Sequence, residues 1–424
     1  MTKKSDAPAI RFKGFSDAWE QRKLGDMMNV TSVKRIHQSD WTDSGVRFLR
    51  ARDIVAAAKN EEPDDYLYIS KEKYEEYSTL SGKVGVSDLL VTGVGTIGVP
   101  YLVRNLEPLY FKDGNIIWFQ NSGKIDGKFL FYSFSAEQIQ GFINESAGIG
   151  TVGTYTIESG KKTPISLPNQ IEQARVGEFF QQLDNLITLH QRKFEKLTNV
   201  KKSMLEKMFP QNGSSYPEIR FKGFTDPWEQ RKLASLCEKF TDGDWIESKD
   251  QSDFGVRLVQ TGNVGVAEYL DKPNNKKWIS EDTFDRLHCE EVLPGDILIS
   301  RLPEPAGRAC IVPLLGTKMI TAVDCTIVRT APDMSNKFLV QYLSSQAYFD
   351  DVNTCLAGGT RQRISRGNLA NFNVPIPVKK SEQDAIGMFF GYLDNLITLH
   401  QRKPFLMKWR TSDANRNQTN RLVL

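Results

Sequence analysis

The segment LDNLITLHQRK occupies Leu183–Lys193 and recurs without a single change at Leu393–Lys403, 210 positions later. A second block repeats in the same way, because IRFKGFSDAWEQRKL at Ile10–Leu24 returns as IRFKGFTDPWEQRKL at Ile219–Leu233 with two substitutions. The chain is therefore a tandem duplication of a unit of about 210 residues, which is far longer than the roughly 20–50 residues of a solenoid repeat.

The two copies agree at their ends and differ in their interiors. Drift after an old duplication is one explanation, but drift alone would not preserve both end blocks while changing most of the sequence between them. The pattern favours a common scaffold that holds two different recognition domains.

Composition narrows the class of protein. A chain of 424 residues predicts two to three domains, and 40% apolar with 25% charged residues is typical of a soluble globular protein. The net charge of +3 neither indicates nor excludes nucleic-acid binding, because a binder can concentrate its basic residues on one face. We expect no secretory signal, since the first ten residues contain no apolar run, and no membrane span, since no long apolar stretch occurs.

The five cysteines all lie in the second copy, at irregular spacings. An odd number without a C-x-x-C pair argues against a disulfide framework and favours free thiols in a reducing cytosol. His288 and Cys289 are adjacent in sequence and poorly placed to share one metal ion, so we expect no metal site.

The segment from Gln170 to Met208 has the pattern of one long helix. It contains one glycine and no proline, Asn169 is suited to cap its start, and Pro210 and Gly213 follow its end. At 1.5 Å per residue, about 40 residues would span roughly 60 Å. Side chains at alternating spacings of four and three form a seam that needs a partner helix. The seam consists of Val176, Phe180, Leu183, Ile187, His190, Phe194, Leu197, Lys201, Met204 and Met208.

The second copy supplies that partner helix. Because the first helix leads into the second domain and the second helix leaves it, the two should pack antiparallel around an approximate two-fold axis. His190 and His400 fall inside the seam, where a polar residue sets the register, and we favour that role over a catalytic one. The matching seam positions of the second copy are Ile386, Phe390, Leu393, Ile397 and His400.

The second helix is predicted to be shorter than the first. Pro404 replaces the seam residue Phe194 of the first copy, and a proline inside a helix costs about 3 kcal/mol or more. We therefore expect this helix to end near Lys403, after about 24 residues or ~36 Å.

Between the end blocks, short β-type runs such as VRFLRA and DILIS alternate with turns and with helical patches such as KFLFYSFSAEQIQGFIN. We predict an α+β fold with two pseudo-two-fold-related globular domains, each followed by a long helix. The expected boundaries are 1–168 for domain 1, 169–210 for the central spacer helix, 211–378 for domain 2, 379–403 for the distal helix and 404–424 for an irregular tail.

The segment GVGTIG, Gly93–Gly98, matches the G-x-G-x-x-G pattern of dinucleotide-binding folds, and Asp113 lies where a ribose-binding acid would be. That fingerprint needs a helix directly after the glycines, whereas VPYLVRN with Pro100 is typical of a strand, so a tight β-turn is the better interpretation. No Walker A, H-E-x-x-H or G-x-S-x-G pattern occurs, and four histidines give acid–base chemistry little to use. The chain is predicted to be non-catalytic.

Basic and polar residues that could contact DNA cluster in both domains. Arginine reads guanine with two hydrogen bonds, Gln and Asn read adenine, and Lys, Thr and Ser hold phosphates. The GTRQRISR loop of domain 2 is the best candidate, and a solvated surface is the alternative for any single residue. The candidates are Arg47, Arg50, Arg52, Thr96, Thr151, Thr154, Tyr155 and Lys161 in domain 1, and Gln260, Asn263, Arg301, Arg308, Thr360, Arg361, Gln362, Arg363 and Arg366 in domain 2.

Together, the two-copy plan, the F-x-x-x-W-E-Q-R-K-L blocks from Phe15 and Phe224, the GTIG and GT loops and the LDNLITLHQRK helices resemble the specificity subunit of type I restriction–modification enzymes. The resemblance extends to about Lys403. It implies two target recognition domains whose helices form an antiparallel coiled coil. Each domain would read one half of a split, non-palindromic DNA site while the coil fixes the gap, in the bacterial cytoplasm and on the nucleoid.

The resemblance also implies partners. Two methyltransferase subunits that bind S-adenosylmethionine would dock on the scaffold, and motor-nuclease restriction subunits would join them for cleavage. ATP and Mg²⁺ are likewise expected on partner subunits, and no cofactor is expected in this chain.

Two other functions stay open at this point. The shortened distal helix departs from the family pattern and, with the low net charge, suggests a protein-interaction scaffold that no longer binds DNA. GVGTIG suggests a self-contained methyltransferase or nucleotide-binding enzyme.

Overall fold

The computed structural model describes residue 8 and residues 10–147, 153–211, 213–358 and 362–413, with side chains as far as residue 401. The chain divides into two compact units, Met1–Leu189 with Leu406–Leu424, and His190–Phe405. No helix in the described part of the chain has the length and apolar character needed to cross a bilayer.

The first unit holds domain 1, which is an α+β domain as predicted. Its three sheets have the strand orders β2-β9-β6-β7, β3-β5-β4-β8 and β1-β10. The strands and helices of this unit follow in chain order. They are β1 (Glu20–Lys23), α1 (Leu24–Met27), β2 (Asn29–Thr31), β3 (Trp41–Thr42), β4 (Val46–Leu49), α2 (Ala51–Ala58), β5 (Leu67–Ile69), α3 (Lys71–Ser81), β6 (Leu89–Thr92), β7 (Pro100–Leu102), β8 (Leu109–Phe111), β9 (Ile116–Gln120), α4 (Gly127–Ser133), α5 (Glu137–Ser146), α6 (Ile157–Lys162), β10 (Pro164–Leu167) and α7 (Gln170–Met208).

The sheet β2-β9-β6-β7 of domain 1 is buried on both faces, which explains the continuous apolar runs in the sequence of its strands. Along β9, Ile117 and Phe119 pack into one core, while Ile116 and Trp118 point to the other side and pack into a second core. Successive side chains of a strand face opposite sides, so one sheet supports both cores.

The second unit repeats this plan, with strand orders β12-β19-β16-β17, β13-β15-β14-β18 and β11-β20. Its elements are β11 (Glu229–Lys232), β12 (Cys237–Asp242), β13 (Gln251–Ser252), β14 (Val256–Val259), β15 (Lys277–Ile279), α8 (Glu281–Arg286), β16 (Ile297–Ser300), β17 (Ala309–Ile311), β18 (Met319–Thr321), β19 (Cys325–Thr330), α9 (Asn336–Tyr342), α10 (Gln346–Thr354), α11 (Arg366–Ala370), β20 (Asn373–Ile376) and α12 (Lys380–Asp413).

The repeated end blocks meet in space and form a base under each domain. In the first copy β1 pairs antiparallel with β10, and in the second β11 pairs antiparallel with β20. The guanidinium of Arg11 donates two hydrogen bonds of 2.7 Å to the buried carboxylate of Glu172, at the start of α7. Arg220 makes the same two contacts with Glu382 at 2.7 and 2.8 Å. The blocks are alike because they perform the same anchoring twice.

Within the second unit, the end of α7 packs antiparallel against α12. His190 contacts His400 and Lys201 contacts Asp394, so the partner moves back along α12 as the position advances along α7. The core that they share contains apolar seam residues from both helices, as predicted. These are Leu197, Met204, Met208, Ile386, Phe390 and Leu393.

The first turns of α7 differ from the prediction. Val176 packs against the core of domain 1, and the ring of Phe180 lies 5.4 Å from that of Tyr132, also in domain 1. Leu183 and Ile187 are half-buried, as are Phe194 and Ile397 farther along the two helices. The start of the seam therefore attaches α7 to its own domain, because a helix that leaves a domain must first cover it. Lys201, which interrupts the seam, is neutralised by Asp394 at 2.5 Å.

The predicted end of the second helix near Lys403 is wrong, since α12 continues to Asp413. Pro404 removes a single backbone N–H, the one that would bond to the carbonyl of His400. The following residues to Asp413 contain neither glycine nor a second proline, so the helix can continue after that one missing bond.

Candidate nucleic-acid interface

The arginines predicted in the first part of domain 1 have mostly local partners. Arg50 donates to Asp53 at 3.0 Å and to Asp65 at 2.9 Å, which holds the turn before α2. Arg52 is more exposed and also bonds to Asp65. The guanidinium of Arg47, on β4, stacks 3.9 Å from the ring centre of Tyr66. Of these three, Arg52 is the side chain most accessible to a ligand.

The GVGTIG segment forms the turn of the hairpin between β6 and β7, which confirms the interpretation as a β-turn. Gly95 and Gly98 have φ values of 70° and 77°, which glycine adopts without strain. A Cβ atom on Gly98 would also lie 3.0 Å from Ile143. Thr96 is exposed at the tip of this hairpin.

Of the predicted DNA contacts near α6, two lie on the surface and one lies in the core. Thr154 is exposed, and Lys161 is exposed and paired with Glu158 at 3.0 Å. Tyr155, in contrast, is 2% exposed, and its hydroxyl shares a hydrogen bond with Thr163. Burial raises the pKa of Tyr155. Its prediction as a DNA contact is therefore corrected, because the ring belongs to the core of domain 1.

In domain 2, Asn263 is also a structural residue, contrary to the prediction. It is 3% exposed, its Oδ1 accepts from the backbone N–H of Gln260 at 3.0 Å, and its Nδ2 donates to the carbonyl of Leu270 at 2.9 Å. This is the counterpart of the Arg50–Asp53 turn in domain 1, with an amide in place of the carboxylate.

Arg308 is a further correction. Its guanidinium donates to the backbone carbonyls of Val264 at 2.7 Å and Thr261 at 3.0 Å. It also donates to those of Leu302 at 2.8 Å and Pro305 at 2.9 Å. Burial lowers the pKa of Arg308. The side chain ties the loop after β16 to a neighbouring turn, so its donors are used within the fold.

Three of the predicted arginines come together around two aspartates, a group that we call the arginine cluster (Arg301, Arg363, Arg366, Asp242 and Asp324). Asp242 lies 3.6 Å from Arg301 and 3.8 Å from Arg366, and Asp324 lies 3.8 Å from Arg363. Arg301 is buried, whereas Arg363 and Arg366 are 62% and 46% exposed. The two outer arginines therefore form an accessible basic surface above a buried third.

The neighbouring candidates complete this part of domain 2. Gln362 is exposed beside Arg363, and Gln260 is half-buried in its turn. Thr360 and Arg361, like Thr151 of domain 1, lie outside the described residues. The two aspartates were missed from the sequence because they reach the cluster from β12 and from the turn before β19.

Backbone hydrogen bonds identify the counterpart of the arginine cluster in domain 1. There, Gly93 N donates to Asn115 O at 2.8 Å and Gly93 O accepts from Tyr155 N at 2.9 Å. The same two bonds recur in domain 2, from Arg301 N to Asp324 O at 2.9 Å and from Ile364 N to Arg301 O at 3.1 Å. The two domains therefore share one backbone framework at this place.

The side chains of the arginine cluster differ in charge from those at the matching positions of domain 1. The strand registers and the helix caps before α6 and α11 extend the match to five positions. Every one is charged in domain 2 and uncharged in domain 1. The matched positions are Ser32 and Asp242, Gly93 and Arg301, Asn115 and Asp324, Thr154 and Arg363, and Ile157 and Arg366.

Comparison with known proteins gives the family. A family model described as the type I restriction modification DNA specificity domain matches residues 16–199 and, a second time, residues 225–405. The chain belongs to this family. The two matches coincide with the two copies, so the specificity-domain family accounts for the duplication and confirms the resemblance seen in the sequence.

Individual relatives agree with this assignment. The type I restriction enzyme MjaVIII specificity subunit of Methanocaldococcus jannaschii is 23% identical over 294 residues, which are 67% of each chain. The crystal structure of the S subunit of a type I restriction-modification system from M. genitalium matches with a TM-score of 0.61 and 11% identity, covering 98% of this chain and 100% of that one. At that identity the likeness shows a common fold of the specificity domains.

Among the described residues, no group of three or more His, Cys, Asp or Glu side chains is arranged to hold a metal ion. The described cysteines are free thiols.

Proposed function

We propose that this chain is the sequence-specific DNA-binding subunit of a type I restriction–modification complex, in which domains 1 and 2 read two unlike halves of one split site. The family assignment supports a role in DNA specificity. The observation that carries the two-reader proposal is the shared backbone framework with different side chains, uncharged in domain 1 and charged in domain 2. One framework with two chemistries would recognise two different base sequences.

The helices would set the gap between the half-sites. α7 is continuous over 39 residues, which corresponds to about 58 Å at 1.5 Å per residue. One turn of DNA is about 34 Å, so a ruler of this length would suit half-sites between one and two turns apart. The antiparallel contacts of α7 with α12 would keep that ruler rigid.

The chain would act without catalysis of its own and with partners in the bacterial cytoplasm. Methyltransferase subunits would carry S-adenosylmethionine, and motor-nuclease subunits would use ATP and Mg²⁺. Leu189 and Leu399 occupy matching positions of the repeated helix segment and are 46% and 47% exposed. Two equal apolar positions favour docking of two copies of one methyltransferase subunit.

Domain exchange tests the two-reader proposal. The complex with its methyltransferase is assembled with residues 215–377 replaced by those of another family member, and methylated adenines are mapped. We expect one half of the methylated sequence to change and the other to stay, and replacing domain 1 instead should change the other half. A change in both halves after either exchange would refute separate readers.

A heptad inserted after both Lys193 and Lys403 tests the ruler. It adds about 10.5 Å to each helix, so the gap should grow by about three base pairs while both half-sites stay the same. An unchanged gap with normal methylation would show that the helices do not measure it.

The scaffold alternative has lost one of its two supports, because α12 does not end at Pro404. A gel-shift salt series of the methyltransferase complex separates it from DNA reading. Binding that weakens steeply with salt is expected of a DNA reader, whereas absent or salt-insensitive binding would favour the scaffold.

A further inference from the structure

In the two outer ion pairs of the arginine cluster, the opposite charges lie near each other but the groups are not hydrogen-bonded. The Arg363–Asp324 and Arg366–Asp242 separations are both 3.8 Å, longer than a hydrogen bond between these groups. Arg308, by contrast, spends its donors on four backbone carbonyls. The exposed arginines therefore retain N–H donors for a ligand, and each has a carboxylate acceptor beside it.

An arginine donor beside a carboxylate acceptor matches the hydrogen-bonding groups of a G·C base pair. In the major groove, guanine presents the acceptors O6 and N7, and its paired cytosine presents the N4 amino donor. Arginine bonds both guanine acceptors at once, and aspartate accepts from cytosine N4. A phosphate offers acceptors alone and would be repelled by the neighbouring carboxylate. The arrangement therefore fits a base pair better than the DNA backbone.

Resting on the proposed function, we propose that the Arg363–Asp324 and Arg366–Asp242 pairs read G·C base pairs in the half-site of domain 2. Arg301 is a positioning residue beneath them. It donates to the carbonyl of Val323 at 2.6 Å and lies beside Asp242, so it fixes the strand ends that carry both aspartates.

Domain 1 has no arginine–aspartate pairs at the matching positions of its framework. The positions of the two outer arginines are held there by Thr154 and Ile157, and those of the two aspartates by Asn115 and Ser32. The two half-sites should therefore differ in how they depend on guanine at the equivalent contact.

The test uses the full chain in complex with its methyltransferase subunits and a genome-wide map of methylated adenine. Arg363→Lys and Arg366→Lys keep the charge but lose the two-pronged donor geometry. We expect each to reduce discrimination at a G·C pair of the domain 2 half-site by roughly tenfold to a hundredfold, with the domain 1 half-site unchanged. Asp324→Asn, which can donate as well as accept, should relax the same base pair as Arg363→Lys.

A matched control is Arg231→Lys. Arg231 also lies in a loose, accessible ion pair, 3.7 Å from Asp333 and 36% exposed, but it belongs to β11 in the base. This variant should leave both half-sites as they are.

A second measurement needs no variant. The wild-type complex is titrated with duplexes in which single guanines of the domain 2 half-site are replaced by 7-deazaguanine, which lacks the N7 acceptor. Weaker binding at one or two guanines is expected, and unchanged binding at all of them, or a half-site without a G·C pair, would overturn the inference. If 7-deazaguanine has no effect but domain exchange still changes one half-site, the G·C inference fails and the two-reader proposal stands. If domain exchange changes both half-sites, both proposals fail.

Discussion

The Nδ1 atom of His190 lies 2.8 Å from the Nδ1 atom of His400, and the two residues occupy the same position of the two copies. Because the two helices run antiparallel here, the contact joins equivalent positions of the repeated segment. One ring must donate while the other accepts, which couples the tautomers of the two histidines. The seam thus contains a polar contact between its two equivalent histidines.

Alanine substitution of the two histidines, singly and together, measures this contact. We expect a coupling free energy of about 0.5–1.5 kcal/mol, because either substitution alone already removes the hydrogen bond. Urea unfolding of the full chain, followed by circular dichroism, supplies the free energies. Glu206→Ala, at an exposed position of α7 beside the domain 2 base, should be additive with His400→Ala. Additivity of the histidine pair as well would show that the contact contributes nothing.

The aspartate of the repeated LDNLITL segment has different partners in the two copies, which predicts unequal contributions to stability. Asp394 accepts from Lys201 at 2.5 Å and from Gln341 at 2.8 Å, whereas the matching Asp184 is exposed and accepts from Tyr132 at 2.7 Å. Asp394→Ala should lower the free energy of unfolding by about 1–3 kcal/mol, because it leaves a half-buried lysine without its carboxylate. Asp184→Ala, its matched control, should cost less. Calorimetry of both variants decides, and equal losses would contradict the contacts described.

The buried ion pairs of the base should be among the most sensitive sites in the chain. Glu382 is 1% exposed, and its hydrogen bonds raise the pKa of Arg220. Glu382→Gln should therefore destabilise the second unit by about 3 kcal/mol, since it leaves a guanidinium with little solvent and no counter-charge. Asp333→Asn, which removes the carboxylate of an exposed ion pair, should change stability by less than about 1 kcal/mol. Thermal unfolding compares the two, and a similar small effect of both would show that the base does not depend on this pair.

Thiol reactivity should single out one cysteine. Burial raises the pKa of Cys237 and Cys310 to about 12 and those of Cys289 and Cys325 to about 11. At pH 8 these four thiols stay protonated and so react slowly. Cys237 and Cys355 are both half-buried, but the thiol of Cys237 also donates to the carbonyl of Leu233 at 3.1 Å, whereas Cys355 lies at the end of α10. We expect Ellman's reagent to label one thiol quickly in the native protein, and Cys355→Ser to abolish that fast phase. Cys289→Ser serves as the control, and rapid labelling of several thiols would contradict the burial described.

Much of the architecture was accessible from the sequence because it rests on periodicity and repetition. The runs VRFLRA and DILIS form β4 and β16, the patch KFLFYSFSAEQIQGFIN forms α4 and α5, and Asn169 caps α7 by accepting from Glu172 N at 2.9 Å. The helix continues past Pro404, contrary to the prediction, because a helix tolerates one missing hydrogen bond when the neighbouring residues favour the helical state.

The candidate site was less predictable, because residue type does not report burial. Tyr155, Asn263 and Arg308 have the chemistry of DNA contacts, but the fold uses their polar atoms internally. Asp242 and Asp324 lie far from the arginines in sequence, so only the folded structure shows that they are neighbours.

The antiparallel pairing of β1 with β10, and of β11 with β20, means that each globular head enters and leaves its support through adjacent strands. Any domain inserted between those two strands would therefore be attached in the same way, because the anchoring arginine, the glutamate and the helix lie outside the inserted segment. Two genes that share these borders could exchange the intervening segment by recombination within the two shared blocks, which would leave the support unchanged. New recognition could then arise by exchange of ready-made heads as well as by gradual substitution.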